Sequence, residues 1–381
     1  MEYTTAGESH GRALVALVTG VPAGVPLAAE TLDADLARRQ GGYGRGGRMA
    51  IESDRALIVS GVRFGSTIGS PVAITIANRD SANWTDVMAV AGERSEGGAV
   101  TAPRPGHADL AGCERIGSTD ARDVLERASA RETAARVAAG GVAKALLAQL
   151  GVTVHSWVER IGDVACGPYA PQDVDMDVVA GSDVRCPDAA SAARMRAAVD
   201  TARTDGESLG GVVAVAASGL VPGLGSYAER QRGLDARLGG ALMSIPAIKG
   251  VEFGDGFAVA GRRGSEVHDP IVRDVEGTVR RATNHAGGLE GGMSNGEWLV
   301  ARIAMKPIPT LTRPLPTIDI VTGAAVDAAH ERSDTCAVPA AGVVAEAEVA
   351  LVLADAYTRM FGDTCVDDIR AAVDRYRARI Y

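Results

Sequence analysis

Two of the six histidines stand where glycine turns can aim a side chain into a cleft: His10 within Gly7-Glu8-Ser9-His10-Gly11, and His107 within Arg104-Pro105-Gly106-His107-Ala108-Asp109. An imidazole so placed is suited to move a proton near neutral pH. His155, by contrast, alternates within a strand-like run and reads as structural. The His10 segment also matches G-x-S-x-G, the elbow of serine hydrolases, which requires a helix after the serine. A strand-like run, Arg12 to Thr19, follows instead. A hydrolase using Ser9 is therefore the weaker alternative.

Cations gather in two places. Arg38, Arg39, Arg45, Arg48 and Arg55 crowd around Gly42-Tyr43-Gly44-Arg45-Gly46-Gly47. That string fits G-x-G-x-x-G, but no helix and no βαβ unit surround it, which argues against a dinucleotide fold. Either a mobile glycine-rich loop carries these cations to an anion, or they form a solvated basic surface. Arg127 and Arg131 flank Ser129, and Ser129 with Glu132 reads as a capping box opening a helix over Thr133 to Leu150. A helix start beside guanidiniums suits a phosphate or carboxylate; an ordinary capped helix with surface arginines fits the same residues. Ala286 to Gly292 is rich enough in glycine to let a planar group lie against the backbone, or to be a plain loop.

These residues need a scaffold. Short strands are expected at Arg12 to Thr19, Ala56 to Val62 and Val72 to Ala77, with a helix over Ala28 to Arg39. Further strands are expected at Val152 to Val158, Val212 to Ala216, Val251 to Phe257, Trp298 to Met305 and Thr317 to Val321. Helices are expected at Ser191 to Thr204, Leu234 to Met243, Ala340 to Met360 and Val366 to Tyr381. The runs from Thr133 and from Ala340 are small and apolar nearly all round, so both belong inside a core. Gly162 to Asp188 reads as a surface excursion and Gly219 to Gly233 as a glycine-rich loop. Polar and apolar residues alternate along the strands, which favours an α+β fold with antiparallel sheets. One long helix late in each half suggests a weak internal duplication within a single domain spanning residues 1–381.

Composition narrows the function. The chain has 381 residues, 46% hydrophobic and 23% charged, as in soluble globular proteins. A net charge of −9 gives no footprint for nucleic acid, and 4% aromatic residues make ring stacking a poor basis for recognition. All but three of the 39 basic residues are Arg, the exceptions being Lys144, Lys249 and Lys306. Five cysteines without metal-ligand spacing suggest reduced thiols, no metal site and a cytoplasmic location. No apolar run is long enough to span a bilayer.

Nine collinear strings carry a resemblance along nearly the whole chain. They are AGESHGR (6–12), RM at 48–49 with Glu52 and Asp54, SG (60–61) through GSTIGSP (65–71), RPGHAD (104–109), RASARET (127–133), SIPAIKGVEFGDGF (244–257), GSEVHD (264–269), TNHAGGLEGGMSNG (283–296) and KPIPT (306–310). Together they resemble the chorismate synthases. The resemblance implies a lyase that eliminates phosphate from 5-enolpyruvylshikimate 3-phosphate in a 1,4-anti sense to give chorismate, a step of aromatic amino-acid biosynthesis. It implies a requirement for reduced FMN, with NADPH as ultimate reductant through an external flavin reductase. It implies a sandwich of two four-stranded antiparallel sheets around a helical layer, assembled as a homotetramer. A flavin-binding relative without turnover is the remaining alternative.

Residue by residue, the resemblance makes His10 the group that meets the departing phosphate, His107 a donor to the flavin and Asp334 a proton relay, suited to that task if burial raises its pKa. Flavin positions are Arg127, Ala128 and Ser129, then Pro246 and Ala247, then Gly292. Lys306, Pro307, Ile308, Pro309 and Thr310 follow, with Arg332. Arg39 and Arg45 match positions for substrate or nicotinamide phosphate, with Arg48 and Arg131 as further anion binders. The chain departs from the family pattern at Ser333, where many members carry His, at Pro309, where some carry Ser, and at Glu348, where Met is usual.

Overall fold

The computed structural model describes residues 1–46, 53–94, 98–275, 277–329 and 334–380. Arg48 and Arg332, both expected at the site, lie outside them, as does Ser333. Within the described residues the chain forms two larger antiparallel sheets, four two-stranded ribbons and a helical filling. The first sheet uses β1 (Glu2–Ala6), β2 (Ala13–Thr19), β3 (Ala56–Ser60) and β4 (Val72–Ala77) in the order β1-β2-β4-β3. Its core face alternates as the period-two pattern demands: Leu14, Ala16 and Val18 on β2 lie opposite Ile76, Ile74 and Val72 on β4, all buried. The helix α1 (Ala29–Gln40) connects β2 to β3 and buries Leu32 and Leu36.

Two short helices, α2 (Asp109–Ile116) and α3 (Arg122–Ala128), come next, and neither is among the expected elements. The long helix α4 (Thr133–Gln149) has nearly the expected bounds, but its start differs. Ser129 caps a separate 3-10 turn, Ala130–Glu132, by accepting the Arg131 N–H, while the buried Glu132 carboxylate accepts from Thr5 and Arg136. The capping box is therefore not formed, because the Thr5 hydroxyl and the Arg136 guanidinium compete for Glu132.

The second sheet uses β5 (Thr153–Ile161), β6 (Val164–Ala165), β7 (Gly211–Ser218), β8 (Ile248–Phe253) and β9 (Leu299–Met305) in the order β8-β9-β7-β5-β6. Its two-residue β6 makes five strands where four are expected. Helix α5 (Ala189–Asp205) precedes β7, and α6 (Leu234–Met243) leads into β8. Strand β8 begins earlier than expected and stops at Phe253, because Gly256 and Phe257 belong to a 3-10 segment, Gly256–Gly261. The expected strand at Thr317 shrinks to Pro316–Ile318. The stretch from Gly162 to Asp188 is not wholly a surface excursion, for Cys166, Val179, Val184 and Cys186 are buried.

Helix α7 (Val338–Phe361) is buried along almost its whole length and starts with Pro339 in its first turn, where a missing N–H costs nothing. It packs on β5 and β7 on one side and on α4 on the other, and α4 packs in turn on β2 and β4. Small residues let the two helices approach: a Cβ on Gly140 would stand 2.5 Å from the Ala347 Cα. The closing helix α8 (Val366–Ile380) covers one end. Among the described residues no helix is long and apolar enough to cross a membrane.

Candidate active site

The turn between β1 and β2 holds His10. Gly7 has φ +105°, and a Cβ there would press on the Ala13 carbonyl, so only glycine makes this turn. Asn78, just beyond β4, donates from Nδ2 to the carbonyls of Glu8 at 3.1 Å and Gly11 at 2.7 Å, and the Ser9 N–H donates to the Glu126 carbonyl at 2.9 Å. Ser9 is buried, and β2 rather than a helix follows it, so no nucleophile elbow exists. The His10 ring is held edge-on by Glu126 of α3, with Nδ1 at 2.8 Å from Oε1, and is stacked on Trp84 at 3.9 Å between centroids.

Beside this turn three arginines share few acids. Asp54 accepts from Arg39 Nη2 at 2.9 Å and from Arg131 Nη1 at 2.8 Å, with its own side chain fully buried. Arg131 Nε also donates to Asn78 Oδ1 at 2.9 Å, tying this pair to the His10 turn. Burial, together with the neighbouring Arg131 and Arg45, pulls Arg39 down to about 10. Arg39 Nε and Arg131 Nη2 are buried and have no hydrogen-bond partner among the described residues. Buried guanidinium N–H groups without acceptors are costly unless an anion arrives.

Arg45 sits on the described half of the glycine loop and pairs with Asp334 at 3.1 Å, while the Gly46 N–H donates to Asp334 at 2.7 Å. The Asp334 side chain is 21% exposed and faces these donors. This half of the loop is fastened rather than free, since Thr335 N–H donates to the Gly44 carbonyl at 2.8 Å and Tyr43 N–H to the Asp183 carbonyl at 2.8 Å.

His107 lies on the turn that enters α2. Its Nδ1 meets the Asp109 carboxylate, which also accepts from Arg104 Nε at 2.9 Å. Burial raises the Asp109 carboxyl, but the bonds from His107 and Arg104 outweigh it and hold the group well below the usual range. An ionised carboxylate only accepts, so Nδ1 carries the proton and Nε2 points away from Asp109. Arg104 Nη1 donates to Thr310 at 3.1 Å, and Lys306 Nζ donates to the Gly106 carbonyl. The Lys306 N–H donates to Ala247, which holds φ +69°, a strained conformation for a residue with a Cβ.

A continuous set of contacts joins the two histidines. Helices α2 and α3 pack where a Cβ on Gly112 would come within 2.8 Å of a Val124 methyl. Three residues before Ala247 lies Ser244, whose Oγ accepts from Arg136 at 2.8 Å; Arg136 meets Glu132, Glu132 meets Thr5, and Thr5 accepts from Arg127 at 2.7 Å. Arg127 is thus engaged with β1 and the Gly7 carbonyl; Ala128 and Ser129 end α3 beside it. Pro307 is exposed, Ile308 accepts from Ser208 at 2.7 Å, and Pro309 lies against Gly106. Gly292 stands apart: its carbonyl accepts the Leu234 N–H at the start of α6, while Pro246 follows the other end. Ten residues of helix separate them by about 15 Å.

A cavity of about 390 Å³ lies elsewhere, lined by Phe253, Val259, His268, Asp269, Ile271 and His285 among others. It contains none of the arginines singled out above, and Arg281 near its rim is bound to Glu290 at 2.6 Å. Charge decides against it as the site of an anion. Sequence reasoning passed over Glu126, Asp109, Asn78 and Trp84 as site residues. Arg122 and Glu126, four apart, and the His107-x-Asp109 spacing were the available signals.

The family model for chorismate synthase matches residues 1–358. A chorismate synthase of Symbiobacterium thermophilum is 54% identical over 385 residues, covering 99% of this chain and 98% of that one. Those of Rubrobacter xylanophilus, 54% identical with 99% and 97% covered, and Frankia casuarinae, 52% identical with 99% and 98% covered, are similarly close. A solved crystal structure of chorismate synthase superposes with a TM-score of 0.81 at 38% identity, covering 100% of this chain and 98% of that one. The chain therefore belongs to the chorismate synthase family.

Proposed function

We infer that the residues linked above carry this family's reaction, the elimination of phosphate from 5-enolpyruvylshikimate 3-phosphate to give chorismate. The chain is accordingly a carbon–oxygen lyase of the shikimate pathway. The observation that carries the reading is the Arg39–Asp54–Arg131 group, in which two buried guanidiniums share one carboxylate and keep N–H groups for a further anion. The substrate brings a phosphate and two carboxylates, and an acidic protein binds it only where cations are concentrated.

In the reaction a C–O bond to phosphate and a C–H bond at C6 break, and a new double bond forms, so atoms and electrons balance without an oxidant. Arg39, Arg131 and Arg45, with Arg48, hold the substrate anions. His10 is tied down through Nδ1, so Nε2 is free to donate to the departing phosphate oxygen. Asp334, paired with Arg45, serves as the relay that carries the C6 proton away. The residues present also fit reduced FMN: Arg127 and Lys306 would offer cations to its phosphate, Ala128, Ser129, Pro246, Ala247 and the Pro307-to-Thr310 run, joined to Ala247 through the Lys306 N–H, would hold it, and His107 would present Nε2. When bound, reduced FMN supplies the electron density that eases loss of phosphate. Arg332 and Gly292 complete the flavin set by family position only; Gly292 lies a helix length from Ala247 in this chain.

We read the two sheets and the helices between them as the family's sandwich of two four-stranded sheets, with Val164–Ala165 as an added edge, in a single domain with a weak internal duplication. The working form is a cytoplasmic homotetramer supplied with reduced FMN by an external NADPH-dependent reductase. Anaerobic incubation with reduced FMN and substrate tests the reading. Phosphate release without inhibition by a fluorophosphonate supports it; flavin binding without phosphate release, or fluorophosphonate inhibition, rejects it. His10→Ala and His107→Ala should each lower turnover by roughly 10²–10⁴.

A further inference from the structure

We propose that Glu126 is a positioning residue for His10, fixing the ring so that Nε2 and not Nδ1 addresses the leaving phosphate. The inference rests on the role given to His10 above and deepens it. Glu126 uses both oxygens on one target: Oε2 accepts the His10 backbone N–H at 2.9 Å, and Nδ1 lies 2.8 Å from Oε1 and 3.1 Å from Oε2. Its side chain is 3% exposed, so this carboxylate serves the interior rather than solvent.

Glu126 is itself held. Arg122, one turn earlier on α3, donates to Oε1 at 3.0 Å. The same guanidinium lies 5.1 Å from the Trp84 ring centroid, and Trp84 stacks on the imidazole at an interplanar angle of 26°. The ring is therefore fixed at its edge by a carboxylate and over one face by an indole. Burial raises the Glu126 carboxyl, but the bonds from His10 and Arg122 outweigh it and leave it below its ordinary value. A carboxylate kept ionised only accepts, which assigns the proton to Nδ1 of a neutral His10 and stabilises the imidazolium when Nε2 is also protonated. Charged groups joined to these partners are Asp80, which accepts from the Trp84 indole at 3.1 Å, Glu8 on the same turn as His10, and Arg131, which reaches that turn through Asn78.

A merely structural role for Glu126 predicts loss of folding and nothing specific to the imidazole. The test compares Glu126→Gln, Glu126→Asp and His10→Ala in the full-length chain. Each variant is assayed for kcat, KM and FMN affinity, and the 15N resonances of His10 are followed through pH in histidine-labelled protein. Glu126→Gln should lower kcat about 10–100-fold with KM and FMN affinity nearly unchanged, as for other groups that orient a functional imidazole. The alkaline limb of its kcat profile should move to lower pH, and the His10 signals should move toward a mixture of tautomers. Glu126→Asp, which keeps the charge, should restore the limb to its wild-type position. If Glu126→Gln keeps the wild-type kcat profile and His10 resonances, the inference fails while a dead His10→Ala leaves the catalytic reading intact. If His10→Ala turns over like wild type, the catalytic reading fails and the inference with it.

Discussion

Glu346 and Glu348 stand two residues apart on the buried helix α7, and their carboxyls are driven in opposite directions. Glu346 faces Arg38 at 2.7 Å, Lys144 at 2.8 Å and Arg185 at 3.2 Å, with Ser156 donating at 2.7 Å. Burial raises its carboxyl, but three cations outweigh burial and hold it well below the ordinary 4.5. Among the described residues Glu348 meets one cation, Arg136 at 3.0 Å, and the Tyr3 hydroxyl at 2.8 Å, and burial wins, raising it.

The first prediction follows from Glu346. A carboxyl depressed on folding contributes stability that is present above its unfolded value, about 4.5, and is lost as pH falls through its lower folded value. Thermal unfolding of wild type and Glu346→Gln between pH 7 and pH 3 should therefore converge on acidification, with wild type the more stable at pH 7. Parallel curves over that range would show that Glu346 is not linked to protons in this way.

Glu348 gives the reverse sign. A carboxyl raised on folding weighs against the fold once pH exceeds its unfolded value, and its one cation, Arg136, keeps Glu132 as a partner at 2.9 Å. Removing one partner of a buried pair is costly when it leaves the other charge uncompensated, and Arg136 here keeps Glu132, so what is lost is mainly the cost of burying the Glu348 charge. Glu348→Met should change stability at pH 7 by no more than about 1 kcal/mol, or increase it. A loss of several kcal/mol in urea unfolding would show that the Tyr3 and Arg136 contacts outweigh burial.

Helix approach makes the third prediction. Alanine is a better helix former than glycine by about 1 kcal/mol, so Gly140→Ala would stabilise α4 in isolation. In the folded chain the new methyl meets Ala347. Overpacking of this kind costs about 1–3 kcal/mol, and the net change in unfolding free energy should be destabilising. A gain in stability would mean the helices separate freely at this point.

What the sequence disclosed follows from the physics of each element. Helix α6 was expected at Leu234 to Met243 and is found there, and α4 and α7 were legible as buried because small apolar residues cover nearly every face. Helices α2 and α3 were not legible, because eight and seven residues are too short to show a period and are held by tertiary contacts such as Gly112 against Val124. The partners they carry, Asp109 and Glu126, were missed with them. His10, His107, Arg39 and Arg131 were visible through their glycine turns and clustered charge. That Arg39 and Arg131 converge on Asp54 depends on chain crossings of 15 and 77 residues, which no local pattern encodes.

That convergence supplies the last prediction. Arg39 and Arg131 each give Asp54 one Nη group and each keep a buried N–H with no partner among the described residues, so the group is built for a second anion. Lysine at either position keeps the charge and loses the planar fork. A hydrogen bond to a charged group is worth about 1.5–3 kcal/mol, so Arg39→Lys and Arg131→Lys should each raise KM for the phosphorylated substrate by about 10–100-fold. Asp54→Asn has a different effect. It leaves two guanidiniums crowded in the interior without a counter-charge, and breaking a buried pair in this way costs about 3–5 kcal/mol. Inorganic phosphate should recover part of that loss by binding the uncompensated cations, raising the melting temperature of Asp54→Asn more than that of wild type. If added phosphate leaves the Asp54→Asn melting temperature unmoved, the two arginines do not form an anion site.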